Sequence, residues 1–200
     1  MLGQAAVAMW WDVAPEMRAE WEDWHSSEHM PERLAIPGFL RGTRWATLSG
    51  EPSYFVCYEV TQLTSITSGP YLERLNNPTP WSKKMMPHHR NMVRSLCAHR
   101  AGWGGGLPQV LATVRFSPRA GAQPELPQGK GLTGAHLLES QPMAGAPQTT
   151  EQKIRGGDAT ADWVLLVGGY DMEAVTKGPV PEGIVGFYRP AYSLSAGEIA

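Results

Sequence analysis

The residues with the clearest chemical potential lie in one short segment after the first predicted strand. His25, Glu28 and His29 form the pattern H-x-x-E-H on a predicted helix that is rich in tryptophan. Two histidines four residues apart can share a metal ion. A histidine that titrates near neutrality can instead move a proton. In a third interpretation the histidines are simply solvated at the end of a capped helix.

A proline after the histidines argues against the metal-site interpretation. Pro31 disfavours helical backbone at the residue before it, so we expect the helix to end near Met30. A zinc site of the H-x-x-E-H type needs an uninterrupted helix, and we therefore expect no bound metal. The sequence favours acid–base chemistry, with His29 as the proton carrier. Glu28 or His25 would orient His29 or act as its acid–base partner.

A second polar cluster precedes the fourth predicted strand and contains His88, His89 and Arg90. Adjacent side chains of an extended segment point in opposite directions, so one of the two histidines can reach a pocket while the other meets solvent. A polar loop explains the cluster equally well. A haem ligand at His29, His88 or His89 stays open as an alternative, but we expect no cofactor.

Aromatic side chains on or beside the predicted strands are the remaining candidates for substrate binding. Seven of eight tryptophans and five of six histidines lie in residues 1–103, which indicates that this half is specialised. Most of these rings belong in the core, and a few could line a pocket for an aromatic ligand. The predicted substrate-binding set is Trp10, Trp24, Trp45, Tyr54, Tyr58, His88, His89 and Arg90.

The apolar pattern of residues 1–103 predicts the order β-α-β-β-α-β of a ferredoxin-like unit, with its third and fourth strands at 54–60 and 91–99. Residues 110–194 show a similar order, with a first strand at 110–116 and Gly131 in the place of Gly38. A long insertion separates the second and third strands of this half, and its polar segment 141–161 is predicted to be a loop. The segment 119–129 is a poor helix former. We therefore predict an α+β fold of tandem ferredoxin-like βαββαβ repeats, in residues 1–103 and 107–200. The repeats should pack sheet to sheet as an α/β barrel within the chain, or alternatively across a homodimer.

The segment 24–39 resembles the EthD-like group of the dimeric α/β-barrel superfamily, through His29-Met30-Pro31 and Pro37-Gly38. That group includes cofactor-free isomerases, lactone isomerases and polyketide cyclases. The resemblance implies the barrel fold and a helix histidine facing the barrel cleft, here His29. Most members are half as long and dimerise, whereas this chain is doubled. Ala122 stands where a second such histidine would be, so we expect one site per chain.

The composition excludes several other classes of protein. The net charge of -2 comes from interspersed charges, which disfavours nucleic acid as a partner. No apolar run is long enough for a membrane span, no signal peptide is evident, and two cysteines make no disulfide framework, so we expect a cytoplasmic protein. The sequence predicts a cofactor-independent acid–base enzyme of the isomerase, cyclase or lyase type. Its substrate would be a small cyclic or aromatic metabolite. The alternative is a non-catalytic small-molecule-binding or accessory protein on the same fold.

Overall fold

The computed structural model describes residues 1–118, 124–141 and 147–199. In these residues eight antiparallel strands close into a barrel in the order β1-β3-β2-β8-β5-β7-β6-β4, and β4 pairs back onto β1. The strands are β1 (Ala5–Val13), β2 (Phe39–Thr47), β3 (Tyr54–Val60), β4 (His89–Gly104), β5 (Val110–Phe116), β6 (Leu132–Ser140), β7 (Trp163–Gly169) and β8 (Ile184–Ser195). The α-helices are α1 (Arg18–Trp24), α2 (Met30–Leu34), α3 (Gly69–Asn76), α4 (Pro80–Met85), α5 (Thr150–Arg155) and α6 (Met172–Lys177).

Both halves of the chain contribute four neighbouring strands to the barrel. The first half has the order β4-β1-β3-β2 and the second half has the matching order β8-β5-β7-β6. The halves meet where β2 pairs with β8 and where β4 pairs with β6. The predicted α+β barrel is therefore confirmed, and it closes within one chain. That the halves are diverged repeats, with domains at 1–103 and 107–200, stays a prediction.

Strand β1 is buried on both faces, which explains why its odd-numbered and its even-numbered residues are both apolar. Ala8 pairs with Cys57 on one side and Ser95 on the other, so β1 is a central strand. Trp10 and its alternate neighbours face the barrel interior, while Trp11 and its alternate neighbours face a helix layer outside. Both rings are almost completely buried. Each such side chain stabilises the fold by about 1.5–3 kcal/mol relative to exposure.

The first helical segment differs from the sequence prediction at its end. It does not stop near Met30, because residues His25–His29 form a π turn and α2 continues beyond it to Leu34. In this turn the Met30 amide donates to the carbonyl of His25, five residues earlier. Pro31 then occupies the first turn of α2, where a missing amide donor costs little. A π turn of this kind often marks a functional position in a helix.

The insertion between β6 and β7 contains a helix where a loop was predicted for residues 141–161. Helix α5 begins with a capping box between Thr149 and Gln152 and ends at Gly156, which has a φ of 84°. The pattern T-x-x-Q could have identified this helix start. Residues 142–146 of the insertion, and residues 119–123 with Ala122, lie outside the described residues. In residues 124–129 no helix forms, as the sequence predicted.

Among the described helices, none combines the length and apolar character that crossing a bilayer requires.

Candidate functional site

A cavity lies between the first-half sheet and the helices that cover its outer face. Its walls come from β1, β3 and β4, from the π turn, from α2 and α3, and from α5 of the second-half insertion. The empty space amounts to about 460 Å³, including the part that opens to solvent. Aromatic side chains from the outward-facing strand positions and from the helix stripe pack together around this cavity. Histidines of the π turn and of β4 complete its lining.

Two imidazoles from the π turn line this cavity side by side. The rings of His25 and His29 lie 5.6 Å apart, and His25 is only 1 % exposed. His25 stacks on Trp21, while His29 packs against Trp24 with a centroid distance of 4.5 Å. The Nδ1 atoms of both rings are buried without a hydrogen-bond partner in the described residues. Each ring therefore keeps one ring nitrogen available to a ligand.

Burial sets the protonation state of these rings. Desolvation, reinforced by the charge of Arg44, holds the pKa of His25 well below its usual value. Desolvation, reinforced by Arg33 and by His25, does the same to the pKa of His29. This differs from the sequence expectation that His29 titrates near neutrality, because the side chain is enclosed beside an arginine. Both imidazoles are neutral near pH 7 and each holds a free lone pair.

A third imidazole enters the cavity from the start of β4. His89 Nε2 accepts a hydrogen bond of 2.7 Å from Trp21 Nε1, and its Nδ1 is buried without a partner. Trp11 and Tyr58 also line the cavity, and neither the Trp11 indole nitrogen nor the Tyr58 hydroxyl has a partner in the described residues. Both side chains are only 2 % exposed. Buried polar atoms are rarely left unpaired, so these atoms need bound water or a ligand as a partner.

Charged side chains close one side of the cavity. Arg33 on α2 forms a buried ion pair with Glu151 on α5, and Arg155 lies 3.6 Å from the other oxygen of Glu151. Arg155 also binds Asp158 at 2.9 Å, and Arg94 donates to the Tyr71 hydroxyl. Three arginines therefore line the cavity with one carboxylate, Glu151, while Asp158 pairs with Arg155 and does not line it. The arginines exceed these two carboxylates by one positive charge, which favours a ligand that carries negative charge.

Glu28 lies beside the cavity and does not line it. Its carboxylate accepts hydrogen bonds from Trp24 Nε1 at 3.2 Å and from the Thr79 hydroxyl at 2.6 Å. Trp24, also outside the lining, packs its ring against His29. Glu28 therefore contacts the tryptophan that packs against His29.

Several other predicted substrate-binding residues lie away from the cavity. Trp10 and Trp45 face the barrel interior, where Trp10 stacks on Phe55 and donates to Thr113. Tyr54 lies under the helices but bonds to Glu22. His88 is half-buried and Arg90 is exposed, and neither lines the cavity. Of the predicted set, the cavity brings together His25, His29, Tyr58 and His89.

Sequence reasoning missed six lining residues that carry polar groups. Trp11 was overlooked because β1 is buried on both faces, and its alternation does not identify the face that meets the cavity. The others are Arg33, Tyr71, Arg94, Glu151 and Arg155. The capping box of α5 was the available signal for the last two.

A second cavity lies inside the barrel. It is lined mainly by apolar side chains, among them Trp45, Phe55, Leu111 and Leu166, with an empty space of about 540 Å³ that includes open solvent. Cys57 also lines it, and burial raises the pKa of this thiol well above its usual value, so the thiol is a poor nucleophile. Within the described ranges no group of three histidine, cysteine or carboxylate side chains is arranged to hold a metal ion.

No family model and no curated protein matches this chain. Solved structures share its fold. An anthrone oxidase-like protein superposes with a TM-score of 0.56 at 11% identity, over 98% of this chain and 94% of that chain. A candidate monooxygenase from Fusobacterium nucleatum subsp. nucleatum gives 0.53 at 6% identity, over 98% and 96%. Another from Lactobacillus acidophilus gives 0.52 at 9%, over 96% of each chain. The superpositions cover both halves of the barrel, so the likeness is one of the whole fold.

Proposed function

We propose that this protein is a cofactor-independent acid–base enzyme that removes a proton from a small cyclic or aromatic substrate. The observation that carries the proposal is the pair of neutral imidazoles, His25 and His29, with unpartnered nitrogens in one enclosed cavity. Isomerisation, cyclisation or elimination would follow from the same first step. The assignment to an EthD-like group is part of this proposal, and the resemblance of residues 24–39 supports it.

In the proposed reaction His29 Nδ1 takes a proton from a carbon or hydroxyl of the substrate. The bonding electrons stay on the substrate, which becomes an anion. The imidazolium of His29 then returns this proton to a different atom of the substrate, directly or by way of His25, whose ring lies 5.6 Å away. Desolvation and, after it, the nearby arginine charges lower the basicity of the imidazoles. Arginine charges that line the cavity also stabilise the anion that forms.

A second candidate reaction is oxidation by dioxygen. The names of the structural neighbours, an anthrone oxidase-like protein and two candidate monooxygenases, favour it. The same deprotonation would give an electron-rich carbon, which would form a bond to dioxygen, the second substrate and the oxidant. The resulting peroxide would take the proton from His29 and lose water, which leaves a carbonyl group on that carbon. The alternative without catalysis is a protein that only binds a small molecule in this cavity.

The proposal has two structural parts as well. The matching strand order of the halves supports diverged ferredoxin-like repeats. The cavity takes all three of its histidines from the first half, which supports one site per chain. A homodimer and a cytoplasmic location stay predictions from the sequence.

The deciding experiment measures proton removal directly, because that step is common to all the reactions considered. A panel of cyclic ketones and phenols is incubated with the protein in heavy water, and exchange of substrate hydrogens is followed by NMR. We expect exchange that falls by roughly 10²- to 10⁴-fold in His29→Gln. The control is His99→Gln, a half-buried histidine of β4 outside this cavity.

Dioxygen uptake is recorded in the same samples. Uptake that accompanies exchange selects the oxidation. Binding of a panel member without exchange or uptake would refute the enzyme proposal and leave the binding protein.

A further inference from the structure

We infer that Trp11 and His89 form a pair of N–H donors for an oxyanion, and that the substrate is a phenol or an enol-forming ketone. The conjugate base of such a molecule carries its negative charge on oxygen. The catalytic meaning of this inference rests on the proposed function, but anion binding at the pair does not require turnover.

The hydrogen bond from Trp21 determines the tautomer of His89. An indole nitrogen can only donate, so His89 Nε2, 2.7 Å away, must be the acceptor. A neutral imidazole has one proton, and that proton must then lie on Nδ1. This Nδ1–H group is buried, has no partner in the described residues, and belongs to a ring that lines the cavity. His89 therefore offers a donor, whereas His25 and His29 are not restricted in this way.

Trp11 supplies the second donor. Its indole ring lies 5.1 Å from the ring of His89, and its Nε1–H has no partner in the described residues. Two N–H groups on neighbouring rings match the need of one oxygen that carries negative charge. The Tyr58 hydroxyl, which is also buried and unpartnered, is a third group that can donate to the same ligand.

The charges around the cavity agree with an anionic ligand. Arg33, Arg94 and Arg155 line it, and Glu151 is the carboxylate that lines it with them. An anionic ligand is stabilised both by the N–H donors and by the arginine charges. The uncharged form lacks the second contribution, so the cavity favours the anion. A purely apolar ligand would leave every one of these donors unpaired.

Trp21 acts as a positioning residue in this arrangement, since it contacts His89 and does not line the cavity. Replacing it with phenylalanine removes the donor to Nε2 and lets the proton of His89 move between the two nitrogens. Nitrogen NMR distinguishes the two tautomers. We expect the Nδ1–H form in the wild type and a mixture in Trp21→Phe, a change that lost packing alone would not produce.

The test uses p-nitrophenol, whose phenolate absorbs at longer wavelength than the neutral phenol. At a pH near the pKa of the free probe, we expect the bound probe to have a phenolate-to-phenol ratio at least tenfold higher than the free probe. Trp11→Phe and His89→Leu should each reduce this preference severalfold. Trp45→Phe, a buried tryptophan that lines the separate barrel cavity, should leave it unchanged.

Two outcomes would overturn the inference. One is a bound probe that is no more ionised than the free probe. The other is a phenolate preference that survives both Trp11→Phe and His89→Leu. If Trp11→Phe does not fold, the Trp11 Nε1–H resonance of the wild type decides, because phenolate binding must shift it. His29→Gln should lose proton exchange but keep the phenolate preference. That result would show that anion binding by Trp11 and His89 does not depend on the proposed base.

Discussion

The buried ion pair between Arg33 and Glu151 joins the insertion to the first half, and its contribution to the free energy of unfolding can be predicted. Arg33 is 4% exposed and Glu151 is 2% exposed, so neither charge is solvated by bulk water. Glu151→Leu removes the carboxylate and leaves Arg33 buried without it. Breaking a buried pair in this way costs about 3–5 kcal/mol, mostly because the remaining charge is not compensated.

The reverse change should cost less. In Arg33→Met the carboxylate of Glu151 still has Arg155 at 3.6 Å, and Arg155 is itself held by Asp158. The double variant Arg33→Met/Glu151→Leu replaces both charges with apolar side chains and should be more stable than Glu151→Leu alone, and about as stable as the wild type. The order of stability is therefore wild type and double variant first, Arg33→Met next, and Glu151→Leu last.

Urea unfolding measures these differences as shifts of the midpoint at an unchanged m value. The matched control is Glu173→Leu, which removes the carboxylate of an exposed helical pair with Lys177, whose side chains are 74% and 73% exposed. That change should cost about 1 kcal/mol at most. The reasoning is refuted if Glu151→Leu behaves like Glu173→Leu, or if the double variant is less stable than both single variants.

Two further predictions concern the histidines and the barrel interior. His25, His29 and His89 have pKa values that burial holds well below normal, so they stay neutral in the folded state and take up protons on unfolding. Above about pH 6.5 these histidines reduce the free energy of unfolding little. Between about pH 6.5 and 5.5 that free energy should fall by about 1 kcal/mol for each histidine. An unchanged urea midpoint over this range would contradict the prediction. Thr113→Val leaves the buried Trp10 Nε1–H, now bonded to Thr113 at 3.1 Å, without an acceptor. It should cost about 1–3 kcal/mol in thermal or urea unfolding, and a loss under 0.5 kcal/mol would show that the bond contributes little.

The strands could be read from the sequence because each carries a long apolar or alternating pattern. The predicted ranges 54–60 and 110–116 agree with β3 and β5 as observed. Strand β4 extends well beyond its predicted range of 91–99, since it includes charged residues such as Arg100. Arg100 lies at a register shift, and residues 101–104 after it join the sheet through backbone pairing with β6, which a side-chain pattern does not report.

The candidate site could be predicted only as far as local patterns reach. The histidine and tryptophan segment was found because its residues are close together in the sequence. Trp10 and Trp45 were misplaced because a central strand is buried on both faces, and alternation alone does not say which face meets a cavity. Glu151 lies 118 residues from Arg33, so their contact depends on how the insertion folds back over the first half.

The insertion supports the proposal of one site per chain. Glu151 and Arg155 come from the second half, yet they line a cavity whose imidazoles all come from the first half. In a symmetric barrel of two identical subunits every insertion occurs twice, so each subunit would need to donate and receive the same helix. A single chain that forms the whole barrel is free of this constraint, because one half can carry the histidines while the other supplies the helix beside them. The matching strand order of the two halves preserves the barrel in such a chain.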